Sequence, residues 1–260
     1  MSLEIDALSA GYGPAPVLRH VGDTWPGGAL TVLIGGNGAG KSTLLRALAG
    51  LLPATGSLRL DGVRLRPADR ARQVAYMPQD TGAASSLTVL EVVMLGRLRS
   101  LGLRVPAGLV AEALAALDTF GLAALQTRRL DEISGGQRQL VFLTQALFRA
   151  PRVLLLDEPT AALDLRHQLL VLDTLRGLAA SRGTIIAMAL HDLNLAAQFA
   201  DRLVALKDGR IHAAGAAREV LTRETLNALY GIEADILRLD GARLQVLPLR
   251  PAGAWGGGAG

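Results

Sequence analysis

The sequence contains no cysteine, few aromatic residues and no long apolar run. Without cysteine, the 260-residue chain cannot form disulfides, thiolate metal sites or a cysteine nucleophile. Aromatic residues make up 3% of the chain and hydrophobic residues 50%, so the core must be built mainly from aliphatic side chains. No stretch of 18 residues is free of charge, and the first residues lack the basic and apolar regions of a secretory signal. We therefore expect a cytosolic protein whose only membrane role is peripheral.

The charge balance identifies no partner. Lysine and arginine total 27 against 23 aspartate and glutamate residues, a formal net charge of +4 that ordinary solubility explains. The arginines are scattered and are not interleaved with aromatic residues, a pattern more typical of a solvated or membrane-facing surface than of a nucleic-acid site. We therefore expect no nucleic-acid partner.

Hydrophobic periodicity predicts an α/β protein with alternating strands and helices. Strands are predicted at residues 3–8, 29–34, 57–60, 63–65, 73–77, 153–156, 184–190, 203–207 and 210–213. Helices are predicted at residues 41–49, 89–98, 109–117, 139–148, 165–180, 193–200 and 224–230. The alternation after residue 150 is the order expected of a parallel doubly wound sheet. We expect one domain over residues 1–250, with a catalytic core (1–86 and 151–250), an inserted helical subdomain (87–150) and a flexible tail (251–260).

A glycine-rich segment after an apolar strand and before a helix fits the pattern G-x-x-x-x-G-K-[ST]. Its candidate nucleotide-binding residues are Gly35, Asn37, Gly38, Gly40, Lys41, Ser42 and Thr43. The glycines allow successive backbone amides to surround a phosphate chain, and the following helix directs its positive end at the same anion. We expect Lys41 to hold the β and γ phosphates, Ser42 to ligate Mg²⁺ and Thr43 to donate to a phosphate oxygen.

Two adjacent acids, Asp157 and Glu158, follow the apolar run at residues 153–156. Ligands of open α/β sheets bind at the carboxyl ends of strands, so these acids are placed for chemistry. We assign Asp157 to Mg²⁺ and expect Glu158 to orient or deprotonate an attacking water. Taken alone, the pair could equally be exposed acids at a strand end, but the phosphate loop upstream favours the catalytic interpretation.

Between these motifs lies the segment Ile-Ser-Gly-Gly-Gln-Arg-Gln, residues 133–139, directly before a predicted helix. With it, the chain resembles the ATPase subunit of an ATP-binding cassette (ABC) transporter. The resemblance implies a P-loop NTPase fold with a RecA-like, mostly parallel core sheet, an N-terminal antiparallel β subdomain and an inserted helical subdomain. It also implies a head-to-tail homodimer holding two ATP molecules, in which each chain contacts the nucleotide of the other through Ser134, Gly135, Gly136 and Gln137.

The resemblance assigns four further residues. Gln79 corresponds to the glutamine that senses Mg²⁺ and the γ phosphate, and is both a catalytic and a metal candidate. His191 corresponds to the switch histidine at the γ phosphate. Asp164 lies in the loop that crosses the dimer interface, and Tyr12 matches the aromatic residue that stacks on adenine. Each of these types, taken singly, is more often a solvated or packing residue.

Residues 133–141 and 163–168 resemble the ATPases of bacterial importers for ferric siderophores, haem and cobalamin. This implies ATP hydrolysis coupled to transport, at the cytoplasmic face of the inner membrane, with integral membrane permease subunits and, indirectly, a substrate-binding protein. The alternatives are an ABC ATPase of another importer or exporter, and a nucleic-acid-associated ABC ATPase. Ser134 follows Lys41 by 93 positions, a separation too short for the long coiled coil of chromosome-maintenance ATPases.

Overall fold

The fold is organised around two β-sheets and a separate C-terminal hairpin. The computed structural model describes residues 1–79, 86–97, 106, 108–239 and 244–253. The strands are β1 (Ser2–Ala10), β2 (Leu18–Pro26), β3 (Leu30–Ile34), β4 (Ala54–Leu60), β5 (Val63–Arg64), β6 (Val74–Met77), β7 (Val153–Asp157), β8 (Ile185–Ala189), β9 (Arg202–Lys207), β10 (Arg210–Gly215), β11 (Ile232–Arg238) and β12 (Leu244–Pro251). The helices are α1 (Lys41–Ala49), α2 (Pro67–Gln73), α3 (Val89–Leu95), α4 (Leu109–Asp118), α5 (Gly135–Phe148), α6 (Leu165–Arg182), α7 (Leu193–Phe199), α8 (Ala217–Val220) and α9 (Arg223–Tyr230).

The smaller sheet is antiparallel, with strand order β2-β1-β4-β5. The turn at Asp61 and Gly62 joins β4 to β5, as the sequence predicted. One face of this sheet packs Leu3, Ile5 and Trp25 into a core shared with helix α1. The prediction of an N-terminal antiparallel β unit is confirmed.

The larger sheet has the order β10-β9-β3-β8-β7-β6, and its strands are parallel except for β10 at one edge. Every residue of β3, β7 and β8 is buried, which explains their continuous apolar sequences. The mostly parallel α/β core is therefore confirmed. Because the carboxyl ends of parallel strands share one edge, the segments that follow β3, β7 and β8 lie close together.

Helices α3, α4 and α5 pack on one another through aliphatic side chains such as Val93, Leu117 and Leu143. Helix α3 begins with a capping box, in which the Thr88 hydroxyl accepts from the Glu91 amide and the Glu91 carboxylate accepts from the Thr88 amide. The helices in this part of the sequence were predicted from periodicity. Residue 98, the last of the predicted helix 89–98, lies outside the described residues.

Several elements were not predicted, namely β2, α2, α8 and the hairpin β11–β12. Helix α2 has no buried residue, so its sequence shows no hydrophobic periodicity. The helix includes Gln73, which the sequence predicts to be the first residue of the following strand. The hairpin is stabilised in part by helix α7, because the Asn194 side chain accepts a hydrogen bond from the Val246 amide over 2.7 Å. Such a contact has no local signal in the sequence.

The expected flexible tail, residues 251–260, begins inside an ordered element. Pro251 is the last residue of β12, and the amide of Ala252 donates to the carbonyl oxygen of Gly231 over 2.7 Å. Residues 254–260 lie outside the described residues.

Candidate functional site

The phosphate loop, residues 35–42, connects the buried strand β3 to helix α1. Its first residue, Gly35, has φ 149°, and a Cβ at this position would lie 2.4 Å from the carbonyl oxygen of Leu206. Only glycine fits this conformation against β9. The close approach fixes the start of the loop at the edge of the sheet where the other motifs also lie.

Lys41 is buried inside the loop that precedes it, with 6% of its surface exposed. Its Nζ donates to the carbonyl oxygens of Gly35, over 2.6 Å, and Gly36, over 3.2 Å. Burial lowers the pKa of Lys41, while the carboxylates of Glu158 and Asp157 oppose this shift. Among the described residues, the Lys41 ammonium is therefore stabilised by two loop carbonyls and by the charges of two nearby acids.

Ser42 and Asp157 form an oxygen-rich pair at the start of α1 and the end of β7. The Ser42 hydroxyl donates to Asp157 Oδ1 over 2.9 Å, and the Tyr76 hydroxyl donates to Asp157 Oδ2 over 3.2 Å. Asp157 has no exposed surface. Hydroxyl and carboxylate oxygens are the ligands that Mg²⁺ prefers, so this pair fits the ion.

The described residues contain no cluster of three or more His, Cys, Asp or Glu side chains that could hold a metal on their own. Mg²⁺ is commonly held by one or two protein ligands together with water and substrate phosphates. The arrangement of Ser42 and Asp157 therefore fits a metal that arrives with a nucleotide better than a resident metal.

The motifs did not indicate a role for Tyr76 or Arg46. Arg46 donates through Nε to the Tyr76 hydroxyl over 3.2 Å and through Nη1 to the Tyr12 hydroxyl over 3.1 Å. Burial raises the pKa of Tyr76 to about 12, so its hydroxyl keeps the proton that it donates to Asp157. One hydrogen-bonded chain thus links the exposed ring of Tyr12 to the buried acid of the proposed metal site.

Three predicted catalytic residues meet at Glu158, directly after β7. The Gln79 side-chain amide donates to Glu158 Oε2 over 2.8 Å, and His191 Nε2 forms a short hydrogen bond with Glu158 Oε1. Glu158 itself has φ 55° and is 8% exposed. Since left-handed backbone is costly for a residue with a side chain, other contacts must hold it there.

Gln139, on α5, supplies one such contact and was not a predicted site residue. Its Nε2 donates to the carbonyl oxygen of Glu158 over 2.8 Å, and its Oε1 accepts from the amide of Ala162 over 3.0 Å. Gln139 is 3% exposed, so both ends of a buried amide are paired. The sequence offers no distinct signal for it, because α5 contains other polar residues, among them Arg138 and Gln145.

The segment Ser134 to Gln137 lies at the start of α5 and forms a capping box. The Ser134 hydroxyl accepts from the Gln137 amide over 3.2 Å, and the Gln137 side chain accepts from the Ser134 amide over 3.0 Å. Ser134 and Gly135 are exposed. The local structure thus presents free glycine backbone and a helix N-terminus at the surface.

Asp164 has the same kind of role at the start of α6, where its carboxylate accepts from the backbone amide of His167 over 2.9 Å and pairs with His167 Nδ1. The backbone hydrogen bond from His167 lowers the pKa of Asp164. Asp164 and Ser134 form no hydrogen bond with Lys41, Asp157 or Glu158 among the described residues. The structure of one chain therefore assembles only part of the predicted set.

Comparison with known proteins finds one family over the middle of the chain. Residues 18–161 match the family described as ABC transporter. The chain is 40% identical over 237 residues to the cobalamin import ATP-binding protein BtuD of Halobacterium salinarum, and the match covers 88% of this chain and 59% of that relative. The chain thus spans about three fifths of the length of that relative.

Other relatives match over most of both chains. A probable siderophore transport system ATP-binding protein of Bacillus subtilis, YusV, is 39% identical, with 90% of this chain and 88% of the relative covered. The hemin import ATP-binding protein HmuV of Myxococcus xanthus is 38% identical, with 93% and 94% covered. A solved ATP-binding cassette, a post-hydrolysis dimer with ADP and Pi, superposes with TM-score 0.76 at 25% identity, covering 83% of this chain and 99% of that one.

Proposed function

Because the chain belongs to the ABC transporter family, we propose that it is the ATP-hydrolysing subunit of an importer for a ferric siderophore, haem or cobalamin. The observation that carries the proposal is the gathering of Lys41, Asp157 and Glu158 at one edge of the sheet. The cargo class is supported by relatives named for cobalamin, siderophore and hemin import.

Nucleotide binding uses the phosphate loop. In the free protein the Lys41 ammonium is bonded to the carbonyls of Gly35 and Gly36, and it moves to the β and γ phosphates when ATP enters. Ser42 and Asp157 would hold Mg²⁺. Gln79, whose side-chain amide is hydrogen-bonded to Glu158, would lie near the ion. The ion would supply charge neutralisation on the phosphate oxygens. The exposed loop residues Asn37 and Gly38, with Gly40 and Thr43, line the phosphate path.

Hydrolysis uses Glu158 as the general base. The carboxylate, held by Gln79 and His191, accepts a proton from a water molecule. The water oxygen forms a bond to the γ phosphorus, the bond from that phosphorus to the bridging oxygen breaks, and ADP leaves with the electron pair of that bond. His191, which follows β8 and lies beside Glu158, is placed to donate to the γ phosphate during this step.

The site is completed by a second copy of the chain, arranged head to tail. Ser134, Gly135, Gly136 and Gln137 belong to an exposed helix start that makes no hydrogen bond to this chain's own Lys41 or Glu158. In a head-to-tail pair this segment reaches the γ phosphate on the partner, and Asp164 lies at the interface. A solved neighbour of the same fold, described as a dimer with ADP and Pi, supports the pairing of two copies.

Import requires a membrane partner. No helix within the described ranges is both long and apolar enough to cross a bilayer. A cavity of about 270 Å³ between β6 and helices α3 and α5, lined by Met77, Pro78, Leu95 and Phe142, is the surface we assign to a permease subunit. The chain would then lie at the cytoplasmic face of the inner membrane and depend indirectly on a substrate-binding protein.

We expect the tagged chain, isolated from its native membranes in mild detergent, to carry a stoichiometric many-helix membrane protein. Mass spectrometry of the co-purified material would identify that protein and any bound iron complex or corrin. Phe142→Glu should remove the membrane partner, because it replaces an aromatic side chain of the cavity wall, which also includes Gln145 and Arg149, with a charged one. Val110→Glu, at a 42% exposed apolar position on α4 outside the cavity, is the matched control and should retain it. Recovery with DNA, RNA or ribosomes instead would overturn the transport proposal.

Removal of the Tyr12 ring should weaken adenine nucleotide binding. The ring is 61% exposed and its hydroxyl is held by Arg46, so the face is available to a base. Tyr12→Ala should reduce ADP affinity by about 1–3 kcal/mol in a calorimetric titration, the usual value of one aromatic–base stack. Tyr12→Phe, which keeps the ring and loses only the bond to Arg46, should bind nearly as well as the wild type. Equal affinity of wild type and Tyr12→Ala would leave the ring with a packing role alone.

A further inference from the structure

The C-terminal helix α9 touches the phosphate loop, a contact that neither the motifs nor the proposed chemistry uses. Tyr230, the last residue of α9, accepts a hydrogen bond through its hydroxyl oxygen from the amide of Gly35, over 2.9 Å. The two residues are 195 positions apart in the sequence. Gly35 is buried, so this hydroxyl replaces the water that its amide would otherwise bind.

The residue before Tyr230 contacts the next residue of the loop. A Cβ on Gly36 would lie 3.0 Å from the carbonyl oxygen of Leu229, so the last turn of α9 lies directly against the loop backbone. Side-chain hydrogen bonding and backbone packing thus come from the same turn of one helix.

Gly35 is held at both of its polar backbone atoms. Its amide donates to Tyr230, and its carbonyl oxygen accepts from Lys41 over 2.6 Å. In the proposed reaction Lys41 moves to the phosphates, and its bonds to the carbonyls of Gly35 and Gly36 are then weakened or lost. We expect the bond from Gly35 to Tyr230 to persist when phosphates bind, because it uses the amide of Gly35 whereas Lys41 uses the carbonyl oxygen.

We propose that Tyr230 is a positioning residue for nucleotide binding, whose hydroxyl fixes the start of the phosphate loop while Lys41 exchanges loop carbonyls for phosphate oxygens. The inference rests on the proposed function in one respect, that nucleotide phosphates bind at this loop. Tyr230 itself touches neither nucleotide nor metal in this assignment. The last turn of α9 thereby takes part in nucleotide binding, although it does not contact the nucleotide.

The expected consequence is a selective loss of affinity. Without the hydroxyl, the buried Gly35 amide has no hydrogen-bond acceptor. The nucleotide-free loop then shifts to a conformation in which this amide finds another acceptor. Nucleotide binding must then return the loop to its original conformation, and the free energy that this requires weakens the binding of the nucleotide. Once ATP is bound, Glu158, Gln79 and His191 are unaffected, because their mutual contacts do not involve α9.

The test is Tyr230→Phe in the full-length chain, with ADP affinity measured by titration and ATP hydrolysis measured over a range of ATP concentrations. We expect the ADP dissociation constant and the KM for ATP to rise about 5- to 30-fold, with kcat at saturating ATP within about twofold of wild type. A residue with a merely structural role would lower the melting temperature without this separation of KM from kcat.

Thr225→Val is the matched control, since it removes another buried hydroxyl from the same helix, one that bonds Thr222 and not the loop. It should leave ADP affinity within about twofold of wild type. Unchanged affinity in Tyr230→Phe, or equal weakening in both variants, would overturn the inference. A wild-type chain that binds no ADP would overturn the proposed function as well, so the two failures are distinguishable.

Amide hydrogen exchange at Gly35 in the wild-type chain gives a second measurement that needs no variant. We expect slow exchange both without and with ADP, because the partner of the amide is the same in both states. Loss of protection on ADP binding would contradict the proposal even if Tyr230→Phe did not fold.

Discussion

Glu158→Gln is expected to slow steady-state ATP hydrolysis by orders of magnitude while ATP binding persists. The amide has nearly the shape of the carboxylate, so Gln79 and His191 keep hydrogen-bonding partners at that position. It is not basic enough to accept the proton of the attacking water. We expect kcat to fall by about 10²- to 10⁴-fold, the range that positioned general bases contribute. Phosphate release at saturating ATP measures the loss, and equilibrium titration with ATP measures the binding that remains.

Glu233→Gln provides the control for this substitution, because Glu233 is an exposed acid on β11 that pairs with Arg250, far along the chain from the acidic pair. It should hydrolyse ATP at the wild-type rate. The Glu158→Gln protein should also accumulate as a dimer when ATP is present, since the γ phosphate that joins the two chains is removed only slowly. Undiminished turnover in Glu158→Gln would exclude Glu158 as the base.

Local motifs predicted the parts of the site that are contiguous in the sequence. Helix α1 begins at Lys41 and ends before Gly50, as expected from the phosphate-loop pattern and the glycine cap. Strand β7 ends at Asp157, so the acidic pair stands at the predicted edge of the sheet. In both cases the residues that decide the structure are neighbours in the chain, and a pattern of a few residues is sufficient.

The contacts that the sequence did not predict join residues that are distant along the chain. Arg46 reaches Tyr76 across 30 positions, and Gly35 reaches Tyr230 across 195. Gln139 bonds the backbone of Glu158, and a backbone carbonyl has no sequence signature. Such contacts depend on how helices pack against the finished sheet, and a single sequence contains no measure of that packing.

Lys41→Ala is expected to reduce nucleotide affinity by about 100-fold or more. The substitution removes the one buried ammonium of the site, and Asp157 and Glu158 then face the incoming phosphates without a compensating charge from the loop. Titration with ADP, whose two phosphates both pass along the loop, measures the loss directly. Folding should survive, because Gly36 is only partly buried and the next two loop residues are exposed, so water can reach the loop when the ammonium is removed.

The only other lysine of the chain, Lys207, gives a clean control, since it is exposed at the end of β9 and its replacement by alanine should leave ADP affinity unchanged. The pH dependence of ADP affinity gives a further check. Burial lowers the pKa of Lys41, so its amine in the free protein loses charge at lower pH than an exposed lysine does. Phosphate favours the charged form, so ADP binding takes up a proton at alkaline pH and its affinity must fall there. Wild-type affinity should therefore decrease as the pH rises toward the ordinary range of lysine, while the Lys41→Ala variant, already weak, should lack that lysine-dependent decrease.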